Sequence, residues 1–370
     1  MTQPLPVALD DAAIEEFGRE LDVIQREVKA SLGDSDRRYI RRVIKVQRSM
    51  AFGGRMMIFA SLPLMPVAPL FLGVIGAGAA ALGLSKILEN MEIGHNVIHG
   101  QWDWMQDPEI HSSTWEWDNV CPADQWKHSH NVVHHTWTNV LGRDRDVGYE
   151  ILRVNEHQPW RPAHLAQPLY NVLLAVLFQW GVAMHDVDIG ALKRGEITLR
   201  DVRGKLAGIG RKARKQLLKD YVLWPLLAGP LFLPVILANG VANLMRNLWS
   251  YAIIFCGHFP DGVQVFTEAQ IEGETRGRWY VRQVLGSCNI QGGRLFHLMS
   301  GNLSHQIEHH LFPDMPSNRY PEVAPRVQAL CARFGIPYNT GSFARQLGTT
   351  LRTIFRLALP TKQKTQALAA

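Results

Sequence analysis

Three long stretches of this chain are almost free of charge. Between Tyr221 and Pro260 the only charged residue is Arg246, and these 40 residues suffice for two membrane spans of about 20 residues each. Asn239-Gly240 lies in the middle and reads as the turn of a helical hairpin. Met56 to Ser85 is a second uncharged run, of 30 residues, interrupted by Pro63, Pro66, Pro69 and Gly73. It is long for one span and short for two, and it makes a hairpin if Arg55 and Lys86 snorkel at one interface. Leu165 to Met184 is a third uncharged run, of 20 residues, able to span on length alone. The pattern predicts an all-α integral membrane protein with about four transmembrane helices in two hairpins, near 49–92 and 221–260.

Charge placement orients these runs. The first 55 residues carry ten Lys or Arg, including Arg37, Arg38, Arg41, Arg42 and Lys45, and residues 187–220 carry ten more, with the run Arg211-Lys212-Ala213-Arg214-Lys215. Both segments are expected on the cytoplasmic side. Two spans between them and two more at 221–260 keep everything else on that side. Leu165–Met184 then reads as a helix lying at the interface, about 165–184, because a span there would split the two basic segments. The division expected is a basic cytoplasmic segment at 1–48, a membrane domain at 49–345 and a tail at 346–370. Mean hydropathy is only −0.08, so a large water-facing part accompanies the spans. The net charge of +6 fits contact with anionic headgroups or docking of a phosphate-bearing substrate. No nucleic-acid motif accompanies it. The four cysteines form no CxxC pair, and the N-terminus has no secretory pattern.

Histidines carry the chemistry. His95 and His99 form HxxxH; His130, His134 and His135 form HxxxHH; His305, His309 and His310 repeat that spacing. Residues four apart share a helical face, so each cluster can aim its imidazoles at one place. Eight imidazoles exceed the needs of one zinc site and suit two adjacent first-row metal ions. Each cluster must then reach one cytoplasmic helical cap that holds a dimetal site. Six of the eleven tryptophans fall between residues 100 and 140. Trp102, Trp104, Trp115 and Trp117 are candidates for the wall of an apolar substrate channel, with an interfacial aromatic belt as the alternative. Asp103, Asp107, Glu109, Asp144 and Asp146 offer acceptors that could orient the ligating rings.

These clusters resemble the three histidine boxes of the integral-membrane fatty acid desaturases. Gly301-Asn302-Leu303-Ser304-His305-Gln306-Ile307-Glu308-His309-His310-Leu311-Phe312-Pro313 is similar to the family's third box, whose first position is His or Gln. It reads as His305 with the final pair, or as Gln306 with the same pair. Gly100-Gln101-Trp102-Asp103-Trp104 and His111-Ser112-Ser113-Thr114-Trp115 resemble the bacterial acyl-CoA branch, including mycobacterial stearoyl-CoA desaturases. The likeness runs from about residue 40 to 345.

The resemblance implies two non-heme irons, O2 as co-substrate, and a cis double bond placed near the middle of a long acyl chain, with delta-9 as the position the branch suggests. Unactivated C–H bonds lie beyond side-chain acid–base chemistry, so a redox metal must carry the step. It implies His258 as a further ligand, with His297 and His128 as weaker alternatives. Gln306, Asn302, Asp144, Asp146 and Glu308 are expected around the ligands, whereas His111, His157, His164 and His185 are not. Its substrate would be a long-chain acyl-CoA or another acyl lipid. No His-Pro-Gly-Gly motif of a fused cytochrome b5 occurs, so electrons are expected from a ferredoxin or flavin reductase partner. The rival readings are a histidine-box hydroxylase of acyl chains, alkanes or carotenoids, and a metal-binding membrane protein without oxidative chemistry.

Overall fold

The computed structural model describes residues 7–361. Helix α1 (Asp11–Ala30) starts where the Asp10 carboxylate accepts the Ala13 N–H at 2.8 Å. Its apolar face, Phe17 and Leu21 among others, is buried in a core outside the spans. Helix α2 (Asp34–Ser61) is charged in its first half and apolar in its second. A 3₁₀ turn at Leu62–Leu64 reverses the chain into α3 (Ala68–Leu88). Pro63 and Pro69 sit in the first turns of these two helices, where a missing N–H costs nothing. The prolines therefore build the bend of a hairpin. Its two helices cross where Gly54 meets Gly78: a Cβ on Gly54 would lie 2.8 Å from the Gly78 carbonyl.

Helix α3 continues through a π-helical stretch, Glu89–His95, to Ile98. The resulting rod, Ala68–Ile98, is one of two among the described residues that are long and apolar enough to cross a membrane. The third uncharged run is not one helix. It forms α4 (Gln167–Val176) and α5 (Phe178–Met184), within a pair bent by 96°. If that pair is a single broken span, the candidates among the described residues number three, beside the expected count of about four.

Helix α6 (Leu199–Leu218) runs on through a π stretch at Lys219–Leu223 to Leu227. The chain then reverses at Gly229–Leu231, with Gly229 at φ +56, into α7 (Phe232–His258). The turn expected at Asn239-Gly240 is thus displaced by about ten residues. Asn239 is buried within α7, where its amide donates to the Asp220 carbonyl at 2.6 Å. Helical hydrogen bonding runs straight through this pair because the reversal is already made by Gly229-Pro230.

A lattice of buried charges ties the hairpins together. Asp220 accepts from Lys86 at 2.9 Å and from Arg55 at 3.3 Å. Asp118 accepts from Lys86 at 3.1 Å and Lys219 at 2.9 Å, and Arg246 donates to the Asp118 carbonyl at 3.3 Å. Both carboxyls are held below the usual carboxylate range, because the neighbouring cations outweigh the burial that would raise them.

The remainder is a helical cap. Helix α8 (Arg276–Leu285) packs against α1. Strand β1 (Asn289–Gln291) precedes α9 (Gln306–Leu311) and α10 (Tyr320–Arg333), and pairs in parallel with β2 (Thr340–Ser342), Asn289 opposite Thr340. Helix α11 (Phe343–Ala358) packs on α7 and α4. The expected tail at 346–370 therefore begins inside a docked helix; residues 362–370 lie outside the described residues. The four cysteines are free and buried.

Candidate metal centre

Four elements deliver the imidazoles. The end of the α3 rod carries His95 and His99; a π-helical stretch, Lys127–His134, carries His130 and His134, with His135 just after it. The last residue of α7 is His258, and α9 carries His309 and His310. Two of the four are π-helical, a geometry that recurs at functional sites because it widens the turn and re-aims side chains.

The rings form two adjacent groups. Ligand nitrogens of His95, His99, His130 and His309 lie within 4.8 Å of one another, as do those of His134, His258 and His310. His135 stands between them, its ring centroid 4.7 Å from His99 and 4.5 Å from His310. Eight buried nitrogens in this cluster have no hydrogen-bond partner: Nε2 of His99, His130, His134, His309 and His310, both nitrogens of His135, and Nδ1 of His258. Leaving a buried polar atom unpaired costs roughly 1–3 kcal/mol. Eight together rival the whole stability of a domain. Converging imidazole nitrogens fit first-row transition metal ions, and each group has the donor count of one ion.

The opposite ring nitrogens are tied down. His134 Nδ1 donates to Asp144 at 3.0 Å, and Asp144 also accepts the Asn139 N–H at 2.8 Å. His310 Nδ1 donates to Gln283 Oε1 at 3.1 Å, and His309 Nδ1 to the Tyr320 oxygen at 3.3 Å. His95 Nδ1 meets Asn96 Oδ1 at 2.9 Å. Such partners fix the tautomer and aim Nε2 inward. Burial pushes His130 down to about 4 and lowers His99, His135, His309 and His310 well below the ordinary imidazole value. These rings are neutral at pH 7, as ligands must be. His134 differs: burial pulls it down, but the Asp144 and Asp146 carboxylates outweigh this and raise it to about 9, so a metal binding there would displace a proton.

The expected residues are not all brought together. His305 stands apart from both groups. It ends a 3₁₀ turn with φ −102 and ψ 57, so α9 begins one residue later and the His305–His309 helical face does not form. Its ring stacks on His297 at 4.6 Å, and His297 Nδ1 meets Ser304 Oγ at 2.7 Å. Gln306 instead reaches the cluster, its amide 3.0 Å from His258 Nε2. Asp146 lies 2.8 Å from His185 and 3.7 Å from His130. Asn302 donates to Glu92 at 3.0 Å; Glu308 accepts from Asn289 and Tyr338, both at 2.8 Å, and burial raises it to about 7. His128 is directed away, to Asp186 at 2.5 Å.

A narrow cavity lies beside His95, His130 and His258. Of the four tryptophans expected along a channel, only Trp117 lines it. Trp102 is wholly buried among Ile40, Val43 and Val97, with Trp104 and Trp115 packed at the edge of that cluster. Trp126, which stacks on His130 at 4.4 Å, lines the cavity instead. His185, Gln283 and Tyr320 also belong to the site's surroundings and carry no spacing signal. Arg282 is the hidden brace: it donates to the carbonyls of Thr136 and Thr138 at 2.9 and 3.0 Å, and to Glu274.

Comparison with known proteins agrees with this architecture. The sequence model of the family described as fatty acid desaturase matches residues 69–342, from the start of α3 to the end of β2. The NADPH-dependent stearoyl-CoA 9-desaturase of Mycobacterium tuberculosis is 48% identical over 358 residues, covering 96% of this chain and 82% of that protein. The sn-1 linoleoyl-lipid 6-desaturase of Synechocystis is 24% identical, over 76% of this chain and 80% of its own length. The acyl-lipid (7-3)-desaturase of Rebecca salina is 29% identical, over 65% of this chain and 55% of its own. A match that takes in every element of the histidine cluster, joined to near-half identity over almost the full length, makes this chain a member of the fatty acid desaturase family.

Proposed function

We propose that this desaturase introduces a cis double bond near the middle of a long saturated acyl chain, delivered as its CoA thioester. The ligands proposed for two iron ions are His95, His99, His130, His134, His135, His258, His309 and His310. The observation that carries the reading is the set of eight buried, unpaired imidazole nitrogens on adjoining rings. Bound iron with O2 supplies the oxidising power that side chains lack. The protein's own part is positional. Asp144, Gln283 and Tyr320 hold ring tautomers, and the cavity beside His95 and His130 keeps the acyl chain dry and fixed in register. The substrate and delta-9 position are supported by the name of the mycobacterial relative, which also speaks for NADPH as the electron source. Electrons are proposed to arrive through a separate ferredoxin or flavin reductase, with the cluster on the cytoplasmic side, where the basic segments before α3 and along α6 would meet the carrier's phosphates.

The test is expression in a membrane lacking the activity, followed by metal analysis and fatty-acid profiling with NADPH, reductase, O2 and stearoyl-CoA. Two irons per chain and a monounsaturated product without added oxygen are expected. Zinc can displace iron on imidazoles during purification, so iron reconstitution is part of the assay. A hydroxylated product would convert the reading to a hydroxylase. Iron-loaded protein that leaves every acyl substrate unchanged would overturn it.

A further inference from the structure

We infer that Trp126 and Trp117 form a discharge path: when O2 is activated at the histidine cluster with no acyl chain in place, they pass electrons inward one at a time and spare the ligand rings. The inference rests on the cluster holding two irons, as proposed above. Trp126 is buried and touches three of the rings assigned to one ion. Its ring centroid lies 4.4 Å from that of His130, 5.1 Å from His95 and 5.2 Å from His99. Trp117 follows it at 5.2 Å. Trp117 in turn borders both the cavity and an outer hollow that it shares with Lys212, Lys215 and Lys219. Lys215 is exposed there, and Lys212 donates to the Trp117 carbonyl at 2.9 Å. Two contacting indoles therefore link the cluster to the surface.

The chemistry of these rings suits the task. Indole gives up an electron more readily than imidazole does, and unlike a phenol it need not lose a proton in doing so. Trp117 donates its Nε1–H to the Cys121 carbonyl at 2.7 Å. A carbonyl is too weak a base to take that proton, so an oxidised Trp117 stays a cation and is refilled easily. Tyr320 also meets a ligand, with centroids 6.1 Å apart at His309, but it is wholly buried and its hydroxyl donates to the Phe312 carbonyl. Among the described residues no further ring leads on from it.

The electrons balance as follows. Reducing O2 to two waters takes four electrons and four protons. In desaturation the donor supplies two electrons, solvent supplies two protons, and the acyl chain gives up two hydrogens. Without the chain the cluster is left two electrons and two protons short. Trp126 gives one electron and becomes a radical cation. Trp117 refills it, and a one-electron reductant at the hollow refills Trp117. A second pass supplies the second electron, and water supplies both protons. Lys and Arg outnumber the acids of the hollow, which favours an anionic reductant such as ascorbate.

The experiment uses the full iron-loaded chain in membranes with NADPH, reductase and O2 but no acyl substrate, freeze-quenched for electron paramagnetic resonance. Wild type should show an organic radical that narrows when the protein is made with ring-deuterated tryptophan and that ascorbate quenches. Trp126→Phe should abolish it. Trp117→Phe should leave it on Trp126 but out of reach of ascorbate. Peptide mass spectrometry then reads where damage falls: oxygen adducts on His95, His99 and His130, counted per O2 consumed, should rise several-fold in Trp126→Phe. An unchanged radical in Trp126→Phe, or equal histidine damage in wild type and variant, would overturn the inference. If Trp126→Phe does not accumulate, Trp117→Phe decides, and a signal that ascorbate still quenches as in wild type sinks the path. Iron content and conversion of stearoyl-CoA are measured on the same wild-type sample. Iron and product without an indole radical refute the discharge path alone, whereas absence of both iron and product removes the functional reading and the path with it.

Discussion

Asp144 offers the sharpest test of how the cluster is held. Its carboxylate accepts three bonds: His134 Nδ1 at 3.0 Å, the Asn139 N–H at 2.8 Å and the Asp146 N–H at 2.9 Å. Asp144→Ala removes both acceptor oxygens and so all three bonds. Hydrogen bonds to a charged group are each worth about 1.5–3 kcal/mol. The three sum to about 5 kcal/mol or more, enough to lower the melting temperature of a detergent-solubilised protein by several degrees. Asp144→Asn separates two roles. One oxygen remains to accept a backbone N–H, but the charge that makes His134 a better ligand is gone. Loss of such an outer partner typically weakens metal binding 10- to 100-fold, or about 1.4–2.7 kcal/mol. The assay is iron retained per chain during dialysis against a graded chelator, beside a melting curve for each variant. Asn should lose iron at lower chelator concentration with a smaller drop in the melt of the metal-free protein than Ala shows. Wild-type iron retention in both variants would refute the role given to Asp144.

Three further outcomes are expected. Arg282→Ala leaves the carbonyls of Thr136 and Thr138 and the Glu274 carboxylate without their buried cation, and should cost about 3–5 kcal/mol in thermal unfolding. Gly301→Ala should abolish accumulation of folded protein on a blot of membranes, because φ is +69 there and a Cβ would collide with the Met91 carbonyl. His305→Gln should keep the iron content, while Gln306→Ala should lower it, since Gln306 rather than His305 touches His258; the opposite result would return His305 to the ligand set.

What the sequence made legible was local and periodic. HxxxH at 95–99 and HxxxHH at 130–135 sit on helices that follow the four-residue face closely enough for spacing to forecast proximity. The same spacing at 305–310 misleads, because a 3₁₀ turn ends at His305 and no periodicity marks such a break. The first hairpin is only half legible: the run at 56–85 is long for one span and short for two, and its prolines read as interruptions although they build the bend. The second hairpin is legible but its hinge is not, since Asn239-Gly240 has turn chemistry, while Gly229-Pro230 makes the reversal and the distant Asp220 carbonyl holds Asn239. Gln283, Tyr320 and Arg282 serve the cluster from positions far along the chain, a dependence that composition and spacing do not encode. Density groups the tryptophans, whereas their surroundings divide them: Trp102 fills a core, and Trp117 with Trp126 lines the cavity.

The buried lattice around Asp220 also constrains biogenesis. Lys86 finds its carboxylate 134 residues later in the chain, and Arg55 finds the same one 165 residues later. At 5–20 residues per second, translation of the shorter stretch takes about 7–27 s. Through that interval Arg55 lacks its carboxylate, and Lys86 has only Asp118, made 32 residues after it. An unpaired cation in hydrocarbon is expensive, so the Arg55 side chain must wait in the headgroup layer, with the hairpin held shallow. Emergence of Lys219-Asp220 then lets the hairpin sink and lock. Asp220→Asn would thus be expected to leave a population of full-length chains whose first hairpin remains open to proteolysis from the side on which it entered.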